Sequence, residues 1–321
     1  MRRRPLFLTV LLAGLAASAA RGQTKIVAQK VAEGVWAAPT PGGANVAWFV
    51  LGDGVIAVDA GPNAEVGRAL VEEIQKTTGK KPRDLVITHA HRDHAGGAAA
   101  FAAAGAQIIV AEKSAPGLLA LLEEKGRGSS PAEKVAAPGP VASPLVLTVA
   151  ERSLLLGNEP RRAEVYYLGP GHTQGDLVIV LPTDGVLIPG DLAVNGVLPF
   201  LRSPDVDPRG WERILTRLAS LKVDKMVPGH GTIGPRDGIS DTFAYLHRVN
   251  EIATKFVLSR VPESMYELEL RAPENTIEHV SLTPDHVANV KAVCRFEKAK
   301  REEGAGAAAP SPGPTTTPHA P

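Results

Sequence analysis

The sequence predicts a mixed α/β fold of the α+β type, a sandwich of two β-sheets with helices on the outside and a site along one shared edge. Three observations predict it. Short apolar runs alternate with amphipathic stretches through the middle of the chain, an ordering that favours sheets covered by helices. The same unit occurs twice: a hairpin ending at Asp59, a helix and a strand ending at His89, then a hairpin ending at Asp191, a helix and a strand ending at His230. Asp and His therefore punctuate the strand ends of both halves.

Each element has its own local reason. Asn45 to Leu51 and Val55 to Val58 are β-type runs joined through Gly52-Asp53-Gly54, a strong hairpin signal. Ala64 to Thr78 carries Val66, Leu70, Val71 and Ile74 at helical spacing and closes on Gly79 as a C-cap. Leu85 to Thr88 is a buried-strand run, Gly97 to Ala104 a short helix, Gln107 to Ala111 a strand and Pro116 to Lys125 another helix. A strand-rich stretch follows, with Leu145 to Val149, Arg152 to Leu156, Glu164 to Leu168, Leu177 to Leu181 and Val186 to Ile188. Helix Pro208 to Leu221, strand Lys225 to Val227 and helices Thr242 to Val257 and Pro284 to Lys300 complete the fold.

The ends stand apart. Arg2-Arg3-Arg4, an apolar run from Pro5 to Ala17 and small residues to Gly22 read as a signal peptide over 1–22. Its apolar stretch stops at Arg21, short of the ~20 residues that span a hydrocarbon core. The mature protein is thus expected in the periplasm or secreted, with no membrane anchor after cleavage. From Gly304 onward the chain is nearly all Ala, Gly, Pro, Ser and Thr, which cannot offset its ordering entropy. We therefore expect one domain over 23–302 and a disordered tail over 303–321. Gly126 to Ser143, rich in Gly, Pro, Ser and Ala, reads as a surface crossover.

Composition narrows the chemistry. A formal net charge of +1 over 321 residues argues against a nucleic-acid binder, so a small-molecule substrate is expected. Cys294 is the single cysteine, so no intramolecular disulfide or Cys-based zinc knuckle can form. Any metal must be held by His and carboxylates. Thr88-His89-Ala90-His91-Arg92-Asp93-His94 compresses three of the nine histidines and one Asp into six residues at a strand end. In an extended segment His89, His91 and Asp93 share a face, and His94 turns in as the chain bends toward a helix. Zn²⁺ accepts imidazole and carboxylate readily, and this crowding exceeds what one tetrahedral ion takes from a single loop. Gly96-Gly97 then leaves room for close backbone approach.

Pro170-Gly171-His172, Pro189-Gly190-Asp191 and Pro228-Gly229-His230 repeat one grammar after apolar runs. Pro stops the strand, Gly supplies an unusual backbone angle, and the next side chain is aimed off the sheet edge. With the first loop they make seven candidate ligands: His89, His91, Asp93, His94, His172, Asp191 and His230. His247 and His286 lie on expected helices, His279 follows a loop and His319 sits in the tail; these read as structural or solvated.

His-x-His-x-Asp-His at 89 to 94, Gly-His172-Thr, Gly-Asp191 and Pro-Gly-His230-Gly, preceded by Val58-Asp59-Ala60-Gly61, resemble the five ordered motifs of the metallo-β-lactamase superfamily. The resemblance covers about Lys25 to Phe256. It implies an αββα sandwich of two ββα halves with the metal site at one edge. It also implies that His89, His91 and His172 bind a first zinc, that Asp93, His94 and His230 bind a second, and that Asp191 bridges them, with Asp59 steadying the ligand loop from behind. β-Lactamases of the superfamily place Cys or Ser where Asp191 stands, so the bridging Asp is more similar to glyoxalase II, lactonases and general hydrolases. Gly190-Asp191-Leu192-Ala193-Val194-Asn195-Gly196 is similar to exported hydrolases of the sulfur-oxidation and quinoprotein-relay type.

The expected function is an exported dinuclear zinc hydrolase in which metal-bound hydroxide attacks an ester, lactone, thioester or β-lactam carbonyl. Asn195 and Gln174 are candidates to orient substrate, and Tyr166 or Tyr167 to donate to an oxyanion. The substrate-determining segments are Thr40 to Ala44, Gly126 to Ser143 and Asn195 to Pro204. Two alternatives stand beside it: a mononuclear iron sulfur dioxygenase of the same superfamily, since imidazole and carboxylate also suit iron, and a metal-binding accessory protein without turnover.

Overall fold

The computed structural model describes residues 24–124, 146–149, 153–158 and 161–307. The expected signal peptide, the whole 126–143 crossover and the tail beyond 307 lie outside them. Two sheets face each other among the described residues. Seven strands in sequence order form the first: β1 (Gln29–Ala32), β2 (Val35–Pro39), β3 (Asn45–Leu51), β4 (Gly54–Val58), β5 (Asp84–Ile87), β6 (Gln107–Ala111) and β7 (Val146–Val149). The second contains β8 (Ser153–Asn158), β9 (Arg161–Tyr167), β10 (Leu177–Leu181), β11 (Val186–Gly190), β12 (Lys225–Pro228) and β13 (Gly234–Pro235), in the order β13-β12-β11-β10-β9-β8.

The expected repeat is present in the pairing. β3 runs antiparallel to β4, helix α1 (Ala64–Thr78) crosses over, and β5 lies parallel to β4. Likewise β10 runs antiparallel to β11, a helix over Pro208–Ala219 crosses over, and β12 lies parallel to β11. The helices between these are α2 (Arg92–Ala95), α3 (Ala98–Ala103) and α4 (Ala115–Glu124), so Pro208–Ala219 is α5. The chain continues through α6 (Gly238–Leu258), α7 (Tyr266–Glu269) and α8 (Pro284–Ala307).

Three apolar layers hold the sandwich together. Phe49, Ile56, Val86, Val165, Ile179 and Ile188 fill the space between the sheets. Trp48, Leu70, Ile74, Leu85 and Phe101 pack the first sheet on α1 and α3. Trp211, Leu215, Leu246, Phe256, Tyr266 and Val293 pack the second sheet on α5 to α8. Strands such as β4, β5, β10 and β11 are buried along their whole length, which explains their unbroken apolar runs.

Some boundaries differ from expectation. β1 and β2 are additional: Gln29-Lys30-Val31-Ala32 is a largely exposed edge, and the Ala-rich Val35–Pro39 shows no alternation, so neither carries a strong β signal. The hairpin turn is tighter than the Gly52-Asp53-Gly54 reading, because Gly54 already pairs with Leu51. α6 begins at Gly238 rather than Thr242. α8 runs past Lys300 to Ala307, into the first residues of the segment expected to be disordered.

Candidate metal centre

Parallel pairing brings four strand ends to one edge. Asp59 follows β4, His89 lies just past β5, Asp191 follows β11 and His230 lies just past β12. Backbone bonds join the halves there: Asn45 N–H donates to the Gly229 carbonyl (2.8 Å) and Leu177 N–H to the Thr88 carbonyl (2.8 Å). The 89–94 segment lies against the Asp59 turn so closely that a Cβ on Gly97 would sit 1.9 Å from the Ala60 carbonyl oxygen, and one on Gly96 2.1 Å from that of Pro62. Both glycines are needed for close approach, as expected. Among the three Pro-Gly turns the unusual backbone angle is confined to Gly190, with φ 56°. Gly229 serves space instead, since its Cβ would meet Asp191 Oδ1 at 2.0 Å, and Gly171 likewise faces Leu192 at 2.7 Å.

The seven candidate ligands converge in two groups, His89, His91, His172 and Asp191 in one, Asp93, His94 and His230 in the other. In the first, His91 Nδ1 lies 3.1 Å from His89 Nε2 and 3.0 Å from His172 Nε2. Asp191 Oδ2 is 3.4 Å from His172 Nε2 and 3.9 Å from His89 Nε2. Its other oxygen, Oδ1, faces the second group, 3.1 Å from His94 Nε2 and 3.5 Å from His230 Nε2. Asp93 Oδ2 closes that group 3.0 Å from His230 Nε2.

Outer partners decide which ring nitrogens carry protons. Asp59 accepts the Thr88 backbone N–H (2.8 Å) and hydroxyl (2.9 Å), and its Oδ2 lies 2.7 Å from His94 Nδ1. Thr88 spends its hydroxyl proton on Asp59, so its oxygen accepts from His89 Nδ1 at 3.1 Å. The Phe200 carbonyl, which can only accept, takes the proton of His172 Nδ1 at 3.1 Å. Ser203 donates to Asp205 (2.5 Å), leaving its oxygen to accept from His91 Nε2 at 3.3 Å. His89 Nε2, His91 Nδ1 and His172 Nε2 therefore turn three lone pairs toward one point.

Three facing lone pairs and a buried carboxylate are costly without a cation between them. Asp191 Oδ1 is buried with no hydrogen-bond partner assigned among the described residues, although His94 Nε2 lies 3.1 Å from it. The electrostatics agree. Burial pushes His172 down to about 4 and His89 well below the usual histidine value, keeping both neutral. Burial also opposes charge on His94, yet Asp191 and Asp59 outweigh it and hold its pKa well above that value. The acidic pair thus demands positive charge at this position. An all-His/carboxylate donor set of this kind fits divalent zinc, and equally other borderline ions.

Above the cluster opens a cleft of about 680 Å³, with His91, Asp93, Asp191 and His230 on its floor and Val194, Val197, Leu198, Phe200 and Arg202 along one wall. The Thr40–Ala44 segment contributes Gly43, and Asn195–Pro204 contributes most of the wall. The four candidate substrate-orienting residues do not line it. Asn195 uses its amide on the Thr232 and Pro235 carbonyls, Gln174 bonds the Asp205 carbonyl, Tyr166 donates to Glu164 and Tyr167 to the Gln174 carbonyl. Each is consumed locally, holding turns and strands. His247, His279 and His286 lie away from the cluster, bonded or paired to Glu212, Glu278 and Tyr245. Sequence reasoning missed Ser203 and the Phe200 carbonyl, whose roles come from loop geometry and leave no residue-type signal. Thr88, adjacent to the motif, was the one with a positional clue.

Fold and site together define an αββα sandwich built around a His/Asp cluster suited to metal. The sequence model of the metallo-beta-lactamase superfamily matches residues 39–230, more than half of the chain, and the chain belongs to that superfamily. It is 26% identical over 191 residues to a metallo-beta-lactamase type 2 of Bacillus cereus, covering 57% of this chain and 65% of that one. It is also 28% identical over 178 residues to the 2,4-dinitroanisole O-demethylase subunit alpha of Nocardioides sp. (strain JS1661), covering 55% and 49%. The match thus spans just under two thirds of the first relative and about half of the second. Among solved structures, the metallo-beta-lactamase FIM-1 from Pseudomonas aeruginosa in its mono-zinc form superposes with TM-score 0.56 at 22% identity, over 70% of this chain and 96% of that one. A metallo-beta-lactamase from Pontibacter korlensis gives 0.55 at 23% identity, over 70% and 99%. These likenesses show the fold.

Proposed function

We propose that the protein is a zinc-dependent hydrolase holding two ions, and that it cleaves small acyl substrates. The observation that carries this reading is the sharing of Asp191, whose Oδ2 faces one trio of imidazoles while Oδ1 faces the second group. His89 Nε2, His91 Nδ1 and His172 Nε2 would hold one ion, and Asp93, His94 and His230 the other. Such ions, when bound, lower the pKa of water and polarise a substrate carbonyl. The chain supplies the rest. Asp59 holds the proton on His94 Nδ1, so that Nε2 stays free to ligate. Val194, Leu198 and Phe200 present an apolar wall beside the polar floor, which limits water around the reacting groups. Asp93, a third exposed on the cleft floor, is the carboxylate best placed to meet a substrate's polar atoms.

The test is metal content measured beside anaerobic hydrolysis of an ester, lactone, thioester and β-lactam panel. An aryl methyl ether belongs in it, given the relative named for O-demethylation. About two zinc per chain with oxygen-independent turnover supports the reading. One iron per chain, oxygen-dependent persulfide consumption and no anaerobic hydrolysis overturns it in favour of the dioxygenase. We further propose export through cleavage within 1–22, supported by its charged, apolar and small-residue pattern. Intact mass of protein from the periplasm or medium checks this, and retention of residues 1–21 contradicts it.

A further inference from the structure

The wall of the cleft between β11 and α5 is clamped from outside the region that carries the metal ligands. Asn289 on α8 is buried. Its Nδ2 donates to the Pro199 carbonyl (2.8 Å), and its Oδ1 accepts the Leu201 N–H (3.1 Å). These are the two residues flanking Phe200. The second Nδ2 proton goes to the Tyr245 hydroxyl (3.0 Å), which lies 3.0 Å from His286 Nδ1. Every polar group of the Asn289 amide is engaged, so its orientation is determined. Between the two clamped peptides, the Phe200 carbonyl takes the proton of His172 Nδ1 (3.1 Å). Ser203, just beyond the clamp, faces His91 Nε2 (3.3 Å).

The outer partners of the second group come from elsewhere. His94 is oriented by Asp59, and the His230 turn is held by Asn45, whose Nδ2 donates to the Pro228 and Gly231 carbonyls at 2.9 Å each. Two of the three imidazoles of the first group thus depend on one loop, and that loop on α8. Asn289, Tyr245 and His286 all lie beyond residue 230, where the family match ends. We propose that Asn289 is a positioning residue: through the Phe200 carbonyl it sets the ring orientation and tautomer of His172, and so tunes the first metal site selectively. The inference rests on the two-site reading above.

The test compares wild type with Asn289→Ala. Hydrogen exchange of the His172 Nδ1 proton is followed by NMR in the metal-free protein, and stepwise Zn²⁺ affinity is measured by chelator competition. Faster exchange is expected, with first-site affinity lower by about 10-fold or more, the range for lost outer-sphere partners, and second-site affinity unchanged. Should Asn289→Ala fail to fold, Tyr245→Phe removes only one anchor of the same amide and is expected to act in the same direction with smaller size. Unaltered exchange and unaltered first-site affinity in a folded variant overturn the proposal, as does equal weakening of both sites. If wild type takes up no Zn²⁺, the two-site reading fails, and the exchange rate alone decides whether Asn289 orients His172.

Discussion

Replacing Asp59 by Asn isolates the charge of one carboxylate behind the metal cluster. Asp59 has a left-handed backbone, φ 65°, a conformation that Asn tolerates far better than Ala. Asn can keep an oxygen toward the Thr88 backbone N–H, now bonded at 2.8 Å. Its amide nitrogen then replaces the oxygen that lies 2.7 Å from His94 Nδ1 and 2.9 Å from the Thr88 hydroxyl. A donor there forces the His94 proton to Nε2, the atom facing Asp191, and removes the lone pair that would ligate. Loss of such an outer partner costs about 10 to 100-fold in metal affinity, or roughly 1.4 to 2.7 kcal/mol. The loss should fall on the Asp93, His94 and His230 group and leave the His172 group nearly intact. Stepwise Zn²⁺ titration of the folded variant, with urea unfolding of the metal-free chain as control, reads both quantities. Wild-type affinity at both steps would refute the argument, as would equal losses at both.

Asp191→Asn should reduce both metal-binding steps, because both oxygens face ligands, and should lower kcat/KM by more than the ~100-fold upper range of outer-sphere changes; a variant that keeps two ions and turnover contradicts the shared carboxylate. Zn²⁺ at 100 times its Kd should raise unfolding free energy by about 2.7 kcal/mol, read as a shift in the urea midpoint that a chelator reverses, and no shift would count against metal binding. Burial pushes Asp176 up to about 8 although Thr173 donates to it twice. A raised carboxyl pKa contributes stability that is complete below the unfolded value and lost as pH rises through about 8. Asp176→Asn, which imitates the protonated form, should therefore gain stability relative to wild type as pH rises from 4 to 9, and a pH-independent difference in urea unfolding would contradict it. Gly97→Ala should destabilise by roughly 2 to 4 kcal/mol or prevent folding, since its Cβ would meet the Ala60 carbonyl at 1.9 Å; near-native thermal stability would show that the Asp59 turn can yield.

What was legible in the sequence was whatever rests on residue type at a strand end. The repeated hairpin, helix and strand is readable because β4, β5, β10 and β11 are buried on both faces and hence almost wholly apolar, Asp84 at the start of β5 being the one charged residue. The ligand candidates stand out because His and Asp interrupt such runs directly after Pro-Gly or within 89–94. β1 escaped because its two half-buried apolar residues, Val31 and Ala32, are adjacent rather than alternating and so leave no period-two pattern. Asn195 and Tyr167 stood as candidates only by position: a polar side chain near a site is open to either role until its bonds to Thr232, Pro235 and Gln174 show it holding turns and strands. The Asn289 clamp joins residues about 90 positions apart, a distance at which no local pattern survives.

Each ligand group draws on both halves of the repeat. His89 and His91 meet His172, and Asp93 and His94 meet His230, while Asp191 turns one oxygen toward each group. Neither half alone offers either group more than two of its histidines, so the coordination sphere comes into being only when the halves dock. On the proposed metal-binding reading, ion capture would be a late event in folding, downstream of forming each hairpin and crossover, and a bound ion would act as a clasp on the seam. Metal exchange kinetics would accordingly report how often that seam opens, a motion that strand-by-strand protection within either sheet would not register.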